Sequence, residues 1–163
     1  MDKRILWAPW RGEFVAGAKK EGCIFCLKGS EDDMASLIFE RRGKVFGMLN
    51  RFPYNTGHIM ISPYRHITSI EDLQKEEADD IFALMKDSIA VLKMEMGPEG
   101  FNIGFNVGKV AGAGFEHLHM HIVPRWTGDT NFMPVLASTK VMPEHLLKTM
   151  ERIKEGFRRL NRG

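Results

Sequence analysis

The sequence predicts an α+β fold, and three observations carry that prediction. Short runs with two-residue apolar alternation occupy the chain up to residue 63 and again between residues 100 and 124. Between them lies one long segment whose apolar residues recur every three or four positions, the period of an amphipathic helix. A second segment of that period closes the chain, so the order is strands, a central helix, strands and a last helix.

The first strands are read in "SLIFER" and "KVFGMLN", joined across Arg42, Gly43 and Lys44, where Gly43 can take the positive φ of a tight hairpin. After the turn-rich "RFPYNTG" comes "HIMISP", stopped by Pro63. The central helix is expected over residues 69–96, with Thr68 or Ser69 at its start, Gly97-Pro98 at its end, and Ile81, Met85, Ile89, Leu92 and Met96 on its buried stripe. "GFNIGFNVG" resumes the alternation, "KVAGAG" is a loop, and "HLHMHIVP" completes the sheet. The last helix is expected from Pro143 through Leu146, Leu147, Met150, Ile153 and Phe157, with His145 at the surface.

No repeat, low-complexity tract or linker divides the 163 residues, so one domain over 1–163 is expected, with a core at about 23–126, an N-terminal segment 1–22 and a helical extension at about 143–160. Twenty-three basic against 21 acidic residues leave a net charge of +2, which provides no global attraction to nucleic acid or an anionic membrane. No apolar run approaches the roughly 20 residues that span a bilayer, and "MDKRILWAPWRGEFV" lacks the apolar core of a signal peptide. A cytoplasmic protein is expected. Cys23 and Cys26 in "GCIFCLKG" are then reduced thiols, a spacing that suits a metal half-site or a redox pair.

The chemistry concentrates in "EHLHMHIVPRW". On a strand His117, His119 and His121 share one face while Leu118, Met120 and Ile122 share the other. Three desolvated imidazoles each need a partner, which makes a purely structural role costly. Two functional readings remain open on spacing alone: a tris-histidine metal site, or an imidazole nucleophile flanked by imidazoles that bind the substrate. The preceding loop carries Gly108, Gly112 and Gly114, where backbone N–H groups can approach an anionic oxygen, and this favours chemistry at phosphorus.

"HLHMHIVP" resembles the His-φ-His-φ-His-φ-φ signature, φ being apolar, of the histidine-triad nucleotide hydrolases and transferases. "LNRFPYNTGHIMISPYRH" is similar to the family segment that carries a ribose-binding Asn or Asp, a Gly-His eight residues later and a Pro-x-x-His. "WAPWR" and "PRWTGDTNF" resemble the bacterial diadenosine tetraphosphate phosphorylase-like branch. The likeness covers roughly residues 23–126 and implies a HIT-like fold, an antiparallel sheet with a long central helix.

It also implies roles. His119 is the nucleophile at the α-phosphorus, and His121 donates to a non-bridging phosphate oxygen. Asn50 binds the ribose, Asn106 lies beside the α-phosphate, His58 supports the triad, and Gly112 and Gly114 belong to the nucleotide-binding loop. Cys23, Cys26, His66 and His117 form a Cys₂His₂ set for one structural zinc per chain. The implied substrate is a dinucleoside polyphosphate or a nucleoside phosphoramidate, and the implied assembly a homodimer paired through the long helix and an edge strand. Where some members carry Gln or Ser before the triad, this chain has Ala113, Gly114 and Phe115, which leaves water, phosphate or another phosphorylated group as acceptor. A nucleotide-binding regulator with little turnover is the alternative; a catalytic zinc on all three triad histidines is a third reading.

Overall fold

Apolar runs separated by turn residues produce the first three strands. In the computed structural model, which describes residues 22–26, 32–129 and 144–162, β1 (Ile38–Arg42), β2 (Val45–Leu49) and β3 (Ile59–Pro63) form an antiparallel meander. Gly43 takes φ +49° in the β1–β2 turn, a left-handed conformation in which a side chain is strained. "WAPWR" and Pro143 lie outside the described residues.

The long helix α1 (Lys75–Met96) begins later than the sequence suggests. Ser69 instead precedes a single 3-10 turn, Ile70–Asp72, and Leu73 is already extended. Glu77 decides the start. It forms a capping box with Gln74, whose backbone N–H donates to Glu77 Oε2 at 2.9 Å, and Arg65 grips the same carboxylate through Nε at 3.0 Å and Nη2 at 2.8 Å. The buried stripe is also displaced: Ile81, Leu84, Ser88, Val91 and Leu92 are buried, whereas Met85, Ile89 and Met96 are half-buried. A second helix against α1 rotates the burial. This is α2 (Leu146–Leu160), which comes close to α1 at Gly156, where a Cβ would stand 2.5 Å from the Val91 side chain.

His145 caps α2, its ring Nδ1 accepting the Leu147 N–H at 3.3 Å. Met150, Ile153 and Phe157 turn inward with Thr149, and Leu147, expected inside, is exposed. Phe157 stacks on Phe39 of β1 at 5.3 Å. Both helices thus cover one face of the sheet, over Val45, Leu49, Ile59, Ile61, Met120 and Ile122.

The strands β4 (Gly100–Phe105) and β5 (Met120–Arg125) complete an antiparallel sheet in the order β1-β2-β3-β5-β4. Regular pairing of β5 begins at Met120, three residues after His117. Pro63 ends β3 two residues beyond Ile61, which pairs with Met120, and has no N–H to offer. The chain is held there by other bonds: Leu118 N–H donates to the Ile67 carbonyl at 2.7 Å, and the Ser62 hydroxyl donates to the Leu118 carbonyl at 3.0 Å. Among the described residues no helix is long and apolar enough to cross a membrane.

Candidate active site

The face of the sheet turned away from the two helices gathers the histidines. At one end Cys23, Cys26, His66 and His117 come together, their ligand atoms all within 4.8 Å of one another. Cys23 Sγ lies 3.3 Å from His117 Nδ1, Cys26 Sγ 3.3 Å from His66 Nδ1 and 3.6 Å from His117 Nδ1. Tetrahedral bonds of about 2.0–2.3 Å to nitrogen and sulfur imply ligand-to-ligand edges of about 3.3–3.8 Å, which these three contacts match, while the remaining pairs lie within 4.8 Å. The donor chemistry agrees. His117 Nε2–H donates to the Pro63 carbonyl at 2.9 Å, which leaves the Nδ1 lone pair for a metal.

Two residues on, the hydrogen bonds reverse the assignment. His119 Nδ1 is 2.6 Å from the His117 carbonyl, and because a carbonyl only accepts, Nδ1 carries the proton and Nε2 the free lone pair. His121 is fixed from β3. The Tyr54 N–H donates to His58 Nδ1 at 3.0 Å, so the proton of neutral His58 resides on Nε2 and is donated to His121 Nδ1 at 2.9 Å. His121 must then present Nε2–H outward. With the Nδ1 atoms of His119 and His121 both engaged, the triad is arranged as an acceptor beside a donor, and the arrangement does not match three imidazoles converging on one ion.

Burial keeps these rings neutral. His58 is pushed down to about 3, first by desolvation and then by His121 and His119, and His121 to about 4 by desolvation and by His119. His119 is also lowered by burial, an effect opposed by its bond to the His117 carbonyl. Phe25 packs against His119, its ring stacked on the imidazole at 4.7 Å with 24° between planes and meeting Phe115 edge-on at 6.0 Å. Phe25 sits inside the C-x-x-C pair and has no signature of its own in the sequence.

The other expected residues are distributed around this centre. Asn50 follows β2 and touches His58 Nε2 at 3.4 Å, while its Oδ1 accepts the Phe52 N–H at 2.8 Å, so it also opens the turn. Asn106 and His121 line one cleft of about 390 Å³, together with Tyr54, Asn102, Gly104, Val123 and Arg125. Gly112, at φ +90°, closes a 3-10 turn (Lys109–Ala111) and donates its own N–H to the Lys109 carbonyl at 3.0 Å. Gly114 makes no such bond among the described residues. Beyond the triad, Arg125 forms a paired contact with Asp129 at 2.6 and 2.9 Å, and Asp129 also accepts from Asn55 at 2.7 Å. Sequence reasoning missed this network because Arg125 and Asp129 have the i, i+4 spacing of a helical pair but occur where strand and turn meet.

The chain is similar to several known proteins. An AP-4-A phosphorylase of Mycobacterium tuberculosis is 38% identical over 154 residues, which cover 88% of this chain and 79% of that protein. Bis(5'-adenosyl)-triphosphatase of Dictyostelium discoideum is 32% identical over 90 residues, 55% of this chain and 60% of that one. Among solved structures, a zinc-bound histidine triad family protein from Mycobacterium smegmatis shares the fold, with a TM-score of 0.70 at 22% identity over 86% of this chain and 96% of that chain. The HIT domain profile matches residues 32–128, well over half of the 163. The chain belongs to the HIT domain family.

Proposed function

We propose that this protein is an enzyme that cleaves a dinucleoside polyphosphate of the diadenosine tetraphosphate type at its α-phosphorus, through a nucleotidyl group on His119. The relatives named for AP-4-A phosphorylase and bis(5'-adenosyl)-triphosphatase activity support the substrate class. One observation carries the mechanism: the bond from His119 Nδ1–H to the His117 carbonyl fixes Nε2 as an unprotonated nucleophile beside a protonated His121 Nε2.

His119 Nε2 attacks the α-phosphorus, the bond to the bridging oxygen breaks, and the nucleoside polyphosphate leaves as an anion with the electron pair. An acceptor oxygen then attacks the same phosphorus, phosphate as an anion or water with release of a proton to solvent, and the phosphorus–nitrogen bond returns its electrons to Nε2. His121 Nε2–H and Asn106 stabilise the non-bridging oxygens as charge grows in each transition state, the loop of Gly112 and Gly114 lies along the phosphate chain, and Asn50 binds the ribose hydroxyls. His58 acts through His121 and is a positioning residue. Cys23, Cys26, His66 and His117 would hold one structural zinc ion, which would brace the loop of residues 23–26 against the triad rather than take part in the chemistry. The free thiols required there suit the cytoplasm.

Homodimer formation through α1 and the β4 edge belongs to the same reading. Phe82 and Met94 on α1 and Ile103 on β4 are exposed apolar side chains, and light scattering at the monomer mass would overturn it.

The experiment is to incubate the protein with diadenosine tetraphosphate, with and without inorganic phosphate, and identify the products. AMP and ATP mark water as acceptor; ADP and ATP formed only with phosphate mark phosphorolysis. Tight binding with no product would replace the enzyme by a nucleotide-binding regulator.

A further inference from the structure

We infer that the cleft on the β4 side of His121 binds the departing nucleoside of the dinucleotide, with Tyr54 as the platform for its base. The inference rests on the proposed function and adds a second nucleoside site to it.

The sheet register divides the surface around the triad. Across the strands His121 pairs with Met60 on one side and with Gly104 on the other, and Met60 pairs in turn with Met48. The β2–β3 side is floored by the apolar cluster of Phe25, Phe46, Met48 and Met60, and Asn50 stands at the end of β2. On the β4 side Gly104 has no side chain, and a Cβ there would meet nothing within 4 Å. The cleft of about 390 Å³ opens at this point. The two halves of a dinucleotide diverge at the α-phosphorus, so a half retained through Asn50 sends the other toward the open side. The volume lies within the roughly 300–1,000 Å³ of small-molecule sites.

The lining specifies a nucleoside rather than further phosphate. Tyr54 is 56% exposed as a residue, yet its ring is backed by His58 at 4.7 Å, with His121 at 6.2 Å and 25° between planes, so the ring is held from one side. An aromatic face of this kind accepts any base by stacking. At the far end Arg125 is already neutralised by Asp129, so its charge gives little attraction to an anion. Arg125 Nη1 donates to Asn102 Oδ1 at 2.7 Å, which turns the Asn102 amide NH₂ away from the guanidinium as a donor for a neutral ligand.

The test uses the full chain carrying His119→Ala, which separates binding from turnover, and compares by calorimetry a dinucleoside tetraphosphate with the mononucleoside tetraphosphate that lacks only the second nucleoside. The dinucleotide should bind about tenfold more tightly, as one base stacked on an aromatic ring contributes. Adding Tyr54→Ala should erase that preference, Tyr54→Phe should keep it, and Asn102→Trp, a filling change at an exposed position, should also erase it. Equal binding of the two ligands, or a preference that survives both Tyr54→Ala and Asn102→Trp, overturns the inference and leaves the proposed function standing. Binding of neither ligand overturns the proposed function itself. Should Tyr54→Ala not fold, Asn102→Trp decides alone.

Discussion

His58 Nε2 lies 2.9 Å from His121 Nδ1 while the opposite nitrogen of His58 accepts the Tyr54 N–H at 3.0 Å, so a backbone amide in a loop sets which nitrogen of His121 carries its proton. His58→Gln should therefore lower kcat for the dinucleotide by about 10- to 100-fold while leaving the metal content unchanged. Nitrogen-15 spectra of the imidazoles provide the second readout: wild-type His121 should appear as the Nε2–H tautomer, and the variant as a mixture. A variant with an unaltered His121 spectrum and full kcat would remove His58 from the mechanism.

The same pair makes stability depend on acid. Unfolded histidine titrates near 6.5, whereas in the fold His58 is pushed down to about 3 and His121 to about 4. Between those values the unfolded chain holds protons that the native chain does not. Stability is complete above about pH 6.5 and drains as the pH falls, by about 1.4 kcal/mol per pH unit for each such proton. Urea denaturation of wild type and His58→Gln across this range should give a visibly flatter slope for the variant; parallel slopes would contradict the assignment.

Cys23→Ser should lose the zinc expected at one ion per chain and melt roughly 5 °C or more below wild type, because binding energy at such a site is folding energy. Metal analysis with calorimetric melting checks both. His119→Ala should keep its metal and its melting temperature, since His119 Nδ1 bonds the His117 carbonyl and takes no place among the four ligand atoms. After acid quench with α-phosphorus-labelled dinucleotide, wild type should carry label and His119→Ala none. Near-full turnover by His119→Ala would return the triad to binding alone.

Much of this was legible in the sequence, for physical reasons that also mark where reading failed. Strand period, the Gly43 turn and the Gly97 helix stop are local, and each appears where the residues imply it. The start of α1 is not local: Ser69 is a plausible cap on its own, but the competing cap at Gln74 is secured by Arg65, twelve residues before Glu77. The buried stripe of α1 depends on where α2 packs, which no window on α1 contains. In the site, Cys23, Cys26, His66 and His117 were readable as a set only through the family resemblance, since spacing alone left the cysteine pair without partners, and the four do come together. Tyr54, Asn102 and Arg125 were not, being ordinary surface residues until β4, β5 and the loop before β3 meet.

Glu77 extends the argument to stability. Its carboxylate is buried, its pKa lowered chiefly by the Arg65 bond, and it also accepts from Gln74. Glu77→Ala should cost about 1–3 kcal/mol by chemical denaturation, from the lost cap and the stranded guanidinium. Because Arg65 directly precedes His66, zinc should also exchange faster with a chelator in this variant. Wild-type exchange together with the expected loss of stability would confine Glu77 to the helix cap.

Phe25 occupies the loop between Cys23 and Cys26 and lies flat on His119, so one wall of the reaction chamber is carried by a tether separate from the sheet that carries the nucleophile. Strip the tether's anchor and the chamber loses its wall before the sheet loses its order. A partly loaded preparation should then behave as a mixture of whole and open-sided molecules, its activity proportional to the fraction of chains that hold zinc and restored by returning the ion without refolding.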